Sequence, residues 1–401
     1  MRAALCPWPS SGPGGMVKTF DHLEPARCPR EAHAVDLRKD QILVRVNLGE
    51  RSYDIVVTTG EDAGLGAFAQ SLVPGKLAFV VTDEHASAHA HMAERSLTAA
   101  GFQSNLAILP PGEAQKSLST ASLVYDRLAK CHADRKTLVV AVGGGVIGDL
   151  AGFVAATYAR GLPLLIVPTT LLAMVDSSVG GKVGVNHPQA KNLIGAFHQP
   201  VGVWTDTATL VTLPDREYRS GLAEVVKYGV ILDADFFAYL ETQADALLGR
   251  QPEVVRQVVA RCCRLKADVV ERDEREETGL RMILNYGHTF AHAFETVAGY
   301  GTWLHGEAVA AGMACASRLA ERQGLIPREV TERQLRLLRR FGLPTAPEAW
   351  PIADLVLTMR SDKKSLGGRL RFILPRKLGE AILVEDISEA EIRRVLEESV
   401  I

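Results

Sequence analysis

From residue 42 onward, short aliphatic runs alternate with amphipathic stretches. Residues 42–47 and 53–58 predict a strand pair. Residues 77–81, 106–109, 137–142 and 164–167 are nearly unbroken Val/Ile/Leu/Ala runs, as expected of strands buried on both faces of a parallel sheet. Helical patterns fill the gaps at 63–72, 89–100, 117–131 and 146–159. That alternation predicts a doubly wound α/β domain over residues 37–210. Beyond Pro214 the apolar period lengthens, and helices are predicted at 221–232, 252–271, 282–297, 306–323 and 329–341. A hairpin over 369–374 and 381–384 and a last helix from Ser388 complete a mainly helical domain, 211–401. Residues 1–36 hold Pro7, Pro9, Pro13, Pro25 and Pro29 without periodicity, and read as a flexible tail or as an over-extended start preceding Met16. A site is expected in the cleft between the two domains.

Composition narrows the function classes. The chain has 401 residues, 47% hydrophobic and 23% charged, which excludes extensive disorder. Lys+Arg 45 against Asp+Glu 47 leaves a net charge of −2, so neither a nucleic-acid nor a membrane-surface partner is expected. The uncharged stretch 161–175 is too short to span a bilayer and is interrupted by Pro163 and Pro168. The six cysteines include no C-x-x-C pair and read as reduced thiols of a cytoplasmic protein.

Three segments carry candidate chemistry. Gly143, Gly144 and Gly145 end a predicted strand and open a helix that continues through Gly148 and Asp149. Glycine there lets backbone approach a pyrophosphate seated on the helix N-terminus, although the spacing is not Gly-x-Gly-x-x-Gly and a plain tight turn would look the same. Asp83 follows an earlier strand and suits ribose hydroxyls; Glu113 and Lys116 follow the next. The second segment places Asp176, Lys182, Lys191 and Asn192 among apolar and glycine residues, with Arg160 upstream. Isolated charges in such surroundings must be paired or used, and lysines near Gly180-Gly181 suit a phosphate-bearing substrate. In the third, Arg281, Asn285, His288 and His292 recur at intervals of four, three and four and share one face of the predicted 282–297 helix. Glu224 and His305, both flanked by apolar residues, could join histidines of that stripe in an open catalytic metal site. Lys227 shares the face of Glu224, and Lys266 sits in the apolar stripe of its own helix, where it either snorkels outward or points into the cleft.

These motifs resemble the 3-dehydroquinate synthase family: Gly143 to Asp149, Pro168 to Lys182, Gly221 to Lys227, Leu284 to His288, and Leu304 to Val309, in order. The resemblance runs from about residue 42 to the C-terminus. It implies a Rossmann-like NAD-binding domain followed by a mostly α-helical metal- and substrate-binding domain. It implies NAD and a divalent ion, zinc or cobalt, as cofactors. The implied reaction converts 3-deoxy-D-arabino-heptulosonate 7-phosphate to 3-dehydroquinate and phosphate, a carbon–oxygen lyase step of the shikimate pathway. Its stages are oxidation, phosphate elimination, reduction, ring opening and aldol closure. Carried over by motif, Glu224, His288 and His305 become the metal ligands. NAD meets Asp83, Glu113, Lys116, Gly143, Gly144, Gly145, Asp149, Thr169, Thr170, Lys191, Thr209 and Thr212. Substrate meets Asp176, Lys182, Asn192, Lys227, Lys266, Arg281 and Asn285, with one of Lys363 or Lys364, and Arg160 arrives from the second subunit of a homodimer. Glu276 (or Glu277, since the segment 273–281 is about one residue longer than the family's usual one) and His292 take the proton-transfer positions, assisted by Lys182, Lys227 and Asn285. The alternatives are a sibling sugar-phosphate cyclase of the epi-valiolone synthase type and an iron-dependent alcohol dehydrogenase relative.

Overall fold

The computed structural model describes residues 17–18, 41–60, 64–188, 190–299, 301–363 and 370–399. Seven strands form the central sheet in the order Ile42–Val46, Tyr53–Thr58, Gly202–Asp206, Leu164–Pro168, Leu138–Gly143, Leu77–Asp83, Gln103–Leu109. All neighbours are parallel except the first pair, which is antiparallel. The alternation of side chains along each strand feeds two cores. Leu138, Val140 and Val142 face the helices Gly64–Leu72 and Ser87–Ala99. Val139 and Ala141 face the other way, into a core continuous with the helices of the second half. That shared core seats the helical layer directly against one face of the sheet.

The chain leaves Leu77–Asp83 for the edge strand Gln103–Leu109, then returns to the opposite side as Leu138–Gly143. The order therefore reverses between Leu77–Asp83 and Leu138–Gly143. In open α/β sheets a ligand crevice forms beyond the carboxyl ends of strands at such a switch point, and here those ends carry Asp83 and Gly143–Gly145.

The aliphatic runs and amphipathic patterns all became strands and helices close to their expected bounds, with one exception. The expected 282–297 helix is broken: a 3₁₀ turn, Leu280–Asn285, is followed by a turn at Tyr286–Gly287 and a separate helix, His288–Ala298. Gly287 has φ +81°, outside helical geometry, and a Cβ there would lie 2.7 Å from Met313 Cγ. Other elements were absent from the sequence reading. They are the hairpin Lys182–His187 with Ala190–Phe197, the strand Gly202–Asp206, and the helices Ala234–Thr242, Ala244–Leu248 and Ile352–Lys363. Within the expected tail, Val17–Lys18 pairs antiparallel with the strand Glu380–Glu385, so that part is not a free tail; the rest of residues 1–36 lies outside the described residues. Among the described residues, no helix is long and apolar enough to cross a membrane.

Candidate active site

Three helices of the second half meet at one point. Asp215–Leu232 brings Glu224, fully buried, while His288 and His305 are the first residues of His288–Ala298 and His305–Arg322. Glycine sets both approaches. A Cβ on Gly306 would lie 1.9 Å from Ser220 O, on the Glu224 helix, and one on Gly312 would lie 2.2 Å from Gly287 O, beside His288. With no Cβ in the way, ligand-capable atoms of Glu224, His288 and His305 all fall within 4.8 Å of one another, the one such group among the described residues.

The donor chemistry fits a divalent cation. Neither oxygen of the buried Glu224 carboxylate accepts a hydrogen bond, although the Lys227 ammonium lies against Oε2. A buried carboxylate that meets one ammonium on Oε2 and no hydrogen-bond donor on Oε1 is costly unless a second cation is there to take the free lone pairs. His288 points Nε2 toward Glu224 Oε1 at 3.8 Å. Burial, reinforced by the Lys227 charge and the neighbouring His305 and His292, pushes its pKa well below the ordinary range, so the ring is neutral and able to ligate. Burial would lower His305 as well, but the Glu295 carboxylate overcomes it and raises that ring instead. His292 lies one turn beyond His288, exposed, with ring centroids 5.8 Å apart.

Beside this group lies a charged cluster. Lys266, buried, donates from Nζ to Asp176 Oδ1 and to the Asp176 carbonyl, both at 2.6 Å. Tyr228 donates to the same Oδ1 at 3.1 Å. Burial would raise the Asp176 pKa, yet the Lys266 and Lys227 charges outweigh it and hold the carboxyl far below the usual range. Burial lowers Lys266, Asp176 opposing it. Lys182 donates to Glu276 Oε1 at 2.5 Å, and burial lowers the Lys182 pKa against that pull. Arg281 is buried against Gly180, where a Cβ would lie 2.4 Å from Nη2, and it donates to Glu274 O at 2.7 Å. Glu276, Asn192 and Arg160 all adopt positive φ, +60°, +55° and +70°. Such backbone persists where surroundings enforce it.

The strand–helix turn offers the second half of the site. Gly144 is the N-cap of Gly145–Thr157 and makes no side-chain capping bond, so the first amides of that helix point outward, ready for an anion. Thr169 N donates to Gly143 O at 3.0 Å and holds the turn shut on one side; Thr170 Oγ1 accepts from Ala173 N at 3.1 Å. Lys116 binds both Asp149 and Asn192, and Asn186 donates to Glu113 Oε1 at 2.8 Å. Asn192, expected at the substrate, therefore has its side chain among the nucleotide candidates. Thr209 and Thr212 lie on the 3₁₀ turn that follows Gly202–Asp206, and His89 reaches Thr212 Oγ1 at 2.9 Å. Asp83 caps a local turn through Ala86 N at 3.0 Å. Lys191 lies 3.8 Å from Glu295 Oε1.

Four expected residues have no described contact with this cluster. Arg160 is exposed at the far end of Gly145–Thr157, roughly 20 Å from the glycine turn at 1.5 Å per residue. Asn285 is exposed on the 3₁₀ turn. Lys363 ends its helix with a side chain that is not described, and Lys364 lies outside the described residues. Sequence reasoning also missed Tyr228 and Glu295. Glu295 follows His288 by seven residues, so extending the polar stripe one step would have found it; nothing in the pattern marked the Tyr228 hydroxyl.

Comparison with known proteins gives a consistent result. The 3-dehydroquinate synthase N-terminal model matches residues 106–220, and the 3-dehydroquinate synthase C-terminal model matches residues 221–365. A 3-dehydroquinate synthase of Desulforamulus reducens is 50% identical over 356 residues, 88% of this chain and 99% of that protein. One from Halorhodospira halophila is 50% identical over 355 residues, again 88% and 99%. Among solved structures, the 2-epi-5-epi-valiolone synthase ValA of Streptomyces hygroscopicus, with NAD+ and Zn2+ bound, has a TM-score of 0.80 at 30% identity, covering 88% of this chain and 98% of its own. A 2-deoxy-scyllo-inosose synthase complexed with carbaglucose-6-phosphate, NAD+ and Co2+ has a TM-score of 0.81 at 26% identity, covering 90% and 100%.

Proposed function

This chain belongs to the 3-dehydroquinate synthase family, and from that premise we propose how its own groups carry the family's reaction. It is a carbon–oxygen lyase that converts 3-deoxy-D-arabino-heptulosonate 7-phosphate to 3-dehydroquinate and phosphate. The observation that carries the site assignment is the buried Glu224 carboxylate, whose Oε1 has no hydrogen-bond donor and whose Oε2 meets only the Lys227 ammonium, facing His288 and His305. We assign those three residues to a zinc or cobalt ion and the crevice at the sheet's switch point to NAD. When bound, NAD supplies reversible oxidation of a hydroxyl-bearing carbon, and the ion supplies a Lewis acid beside it.

The remaining work belongs to the chain. The outward amides of Gly145–Thr157 take the pyrophosphate, with Lys116 held in reach by Asp149 and Asn192. Asp83, Glu113, Thr169, Thr170, Lys191, Thr209 and Thr212 surround the rest of the dinucleotide. Lys182 and Arg281 bind the substrate phosphate and neutralise it as it leaves, joined by one of Lys363 or Lys364. Asp176, fixed between Lys266 and Tyr228, orients substrate hydroxyls, as do Lys227 and Asn285. His292, exposed beside His288, takes and returns the hydroxyl proton; Glu276, paired with Lys182, exchanges the proton on the neighbouring carbon. Holding one intermediate through five stages is a matter of position, and buried ion pairs supply it. We place the chain in a cytoplasmic homodimer whose Arg160 reaches the partner's phosphate, because within one protomer it lies at the wrong end of its helix. The division into an NAD domain and a metal domain is drawn near residue 210.

The test is phosphate release from the heptulosonate phosphate, with and without a metal chelator, for the native chain and Glu224→Gln. Release that stops in both the chelated and the substituted protein is expected. Equal release without metal removes the ligand assignment, and failure of the native chain to yield dehydroquinate removes the activity.

A further inference from the structure

The two histidines of the metal group are braced from behind in different ways. His288 turns Nδ1 to the Tyr286 carbonyl at 3.1 Å and Nε2 toward Glu224. His305 turns Nδ1 to Glu295 Oε1 at 3.6 Å. In each ring Nδ1 faces the protein, which leaves Nε2 for the ion. For His288 the brace is the carbonyl two residues earlier. His305 opens its helix, and its brace is a carboxylate from the neighbouring helix.

Glu295 is built for that reach. His288, His292 and Glu295 occupy i, i+4 and i+7 of His288–Ala298, so all three project from one face, toward the start of His305–Arg322. The Glu295 side chain is only 11% exposed. The same Oε1 lies 3.8 Å from Lys191 Nζ, on the hairpin strand Ala190–Phe197, so the carboxylate is held between an imidazole and an ammonium. A carboxylate behind an imidazole keeps the proton on Nδ1, makes Nε2 the lone-pair donor and raises its basicity.

We propose that Glu295 is a positioning residue: it fixes the tautomer and orientation of His305 for the divalent ion, with Lys191 anchoring its carboxylate from the hairpin. This rests on the assignment of Glu224, His288 and His305 to a metal. Glu295 touches neither the ion nor the substrate; its influence passes through His305.

The experiment is a zinc titration of the metal-stripped full chain, with NAD present, in competition with a chromophoric chelator. The native chain, Glu295→Gln and Glu295→Ala are compared, each also loaded with Co2+ for its visible spectrum. Glu295→Ala is expected to bind zinc about 10–100-fold more weakly, the range for loss of such a brace. Glu295→Gln, whose amide oxygen can accept from Nδ1–H, is expected to recover part of that loss and to keep the native cobalt spectrum. A role confined to packing would leave zinc affinity and cobalt spectrum alike in all three proteins, and that result overturns the proposal. Should Glu295→Ala not fold, Glu295→Leu, bulkier and without an acceptor, carries the same comparison. If the native chain takes up no zinc or cobalt at all, the metal assignment itself fails, a different outcome from variants that match a zinc-binding native chain.

Discussion

Replacing Gly306 by alanine tests whether helix approach sets the metal group. A Cβ at this position would sit 1.9 Å from Ser220 O, 2.6 Å from Ser220 C and 2.6 Å from Ser220 Oγ, where ordinary contact begins at 3.4 Å. Relieving the worst contact takes 3.4 − 1.9 = 1.5 Å of separation between His305–Arg322 and Asp215–Leu232. Gly306 adjoins His305, and Ser220 lies one turn before Glu224, so that shift falls almost directly on the ligand pair. Metal–ligand bonds tolerate only about 0.2 Å. The Gly306 N to Ser220 Oγ hydrogen bond, 3.0 Å, would go as well. Overpacking costs about 1–3 kcal/mol and the lost bond about 1 kcal/mol, while alanine in a helix returns up to about 1 kcal/mol. The expected net is a loss of about 1–3 kcal/mol in urea unfolding of the metal-free protein. Zinc affinity should fall more than tenfold, which is about 1.4 kcal/mol or more. Gly249→Ala, remote from the group with its nearest contact at 3.3 Å, serves as the control. A Gly306→Ala protein whose zinc affinity stays within threefold of native would refute the idea that this contact positions His305.

Three further outcomes follow from the same geometry. Lys266→Met leaves the Asp176 carboxylate without its closest cation and should cost about 3 kcal/mol in unfolding free energy; Asp176→Asn added to it should restore part, and a loss under about 1 kcal/mol contradicts this. Burial would raise Asp273, but the amides of Arg281 and Thr278, at 3.0 and 3.1 Å, hold its folded pKa below the ordinary value. Its stabilisation is therefore complete above pH of about 4 and lost as pH falls through the lower folded value. Asp273→Asn should thus cost more at pH 6 than at pH 3 in urea denaturation, and an equal cost at both refutes the linkage. Gly148→Ala meets nothing within 4 Å and should stabilise the ligand-free chain by about 0.5–1 kcal/mol, and it should weaken NAD in calorimetric titration if the dinucleotide fills that open space beside the Gly145–Thr157 helix; unchanged NAD affinity would show that it does not pass there.

The parallel strands were legible because both their faces are buried, which leaves nothing but aliphatic residues in runs such as Leu138–Gly143. The hairpin Lys182–His187 with Ala190–Phe197 was hidden for the converse reason. Its second strand is largely exposed, with Leu193 and Phe197 open to solvent and Lys191 and Asn192 alongside, so no apolar face marks it. Yet its polar residues were noticed as chemistry, since Lys182, Lys191 and Asn192 stand out among glycines whatever the secondary structure. The short helices Ala234–Thr242 and Ala244–Leu248 owe their form to packing against neighbours, and periodicity over so few residues says little. The Lys266–Asp176–Tyr228 contact joins residues 90 and 52 positions apart in sequence; no spacing rule reaches that far.

The polar stripe from Arg281 to His292 pointed to His288, a member of the one candidate metal group among the described residues, through a helix that does not exist. A continuous helix would stack Arg281, Asn285, His288 and His292 along one line facing one partner. The turn at Tyr286–Gly287 separates them. Arg281 goes back to Gly180 and the Glu274 carbonyl, and His288 opens a new helix toward Glu224. On the proposed assignment, that separation lets one segment serve two ends of a substrate, the phosphate end through Arg281 and the metal end through His288. Its enabling residue was visible all along, because a glycine immediately before a histidine inside an apolar helix pattern is a break signal. His305 has its glycine immediately after it, and both glycines sit where backbone must touch a neighbouring helix. In this chain the glycine beside each of His288 and His305 points to the proposed ligand pair more directly than the four-three-four spacing does, since that group depends on how closely the helices approach.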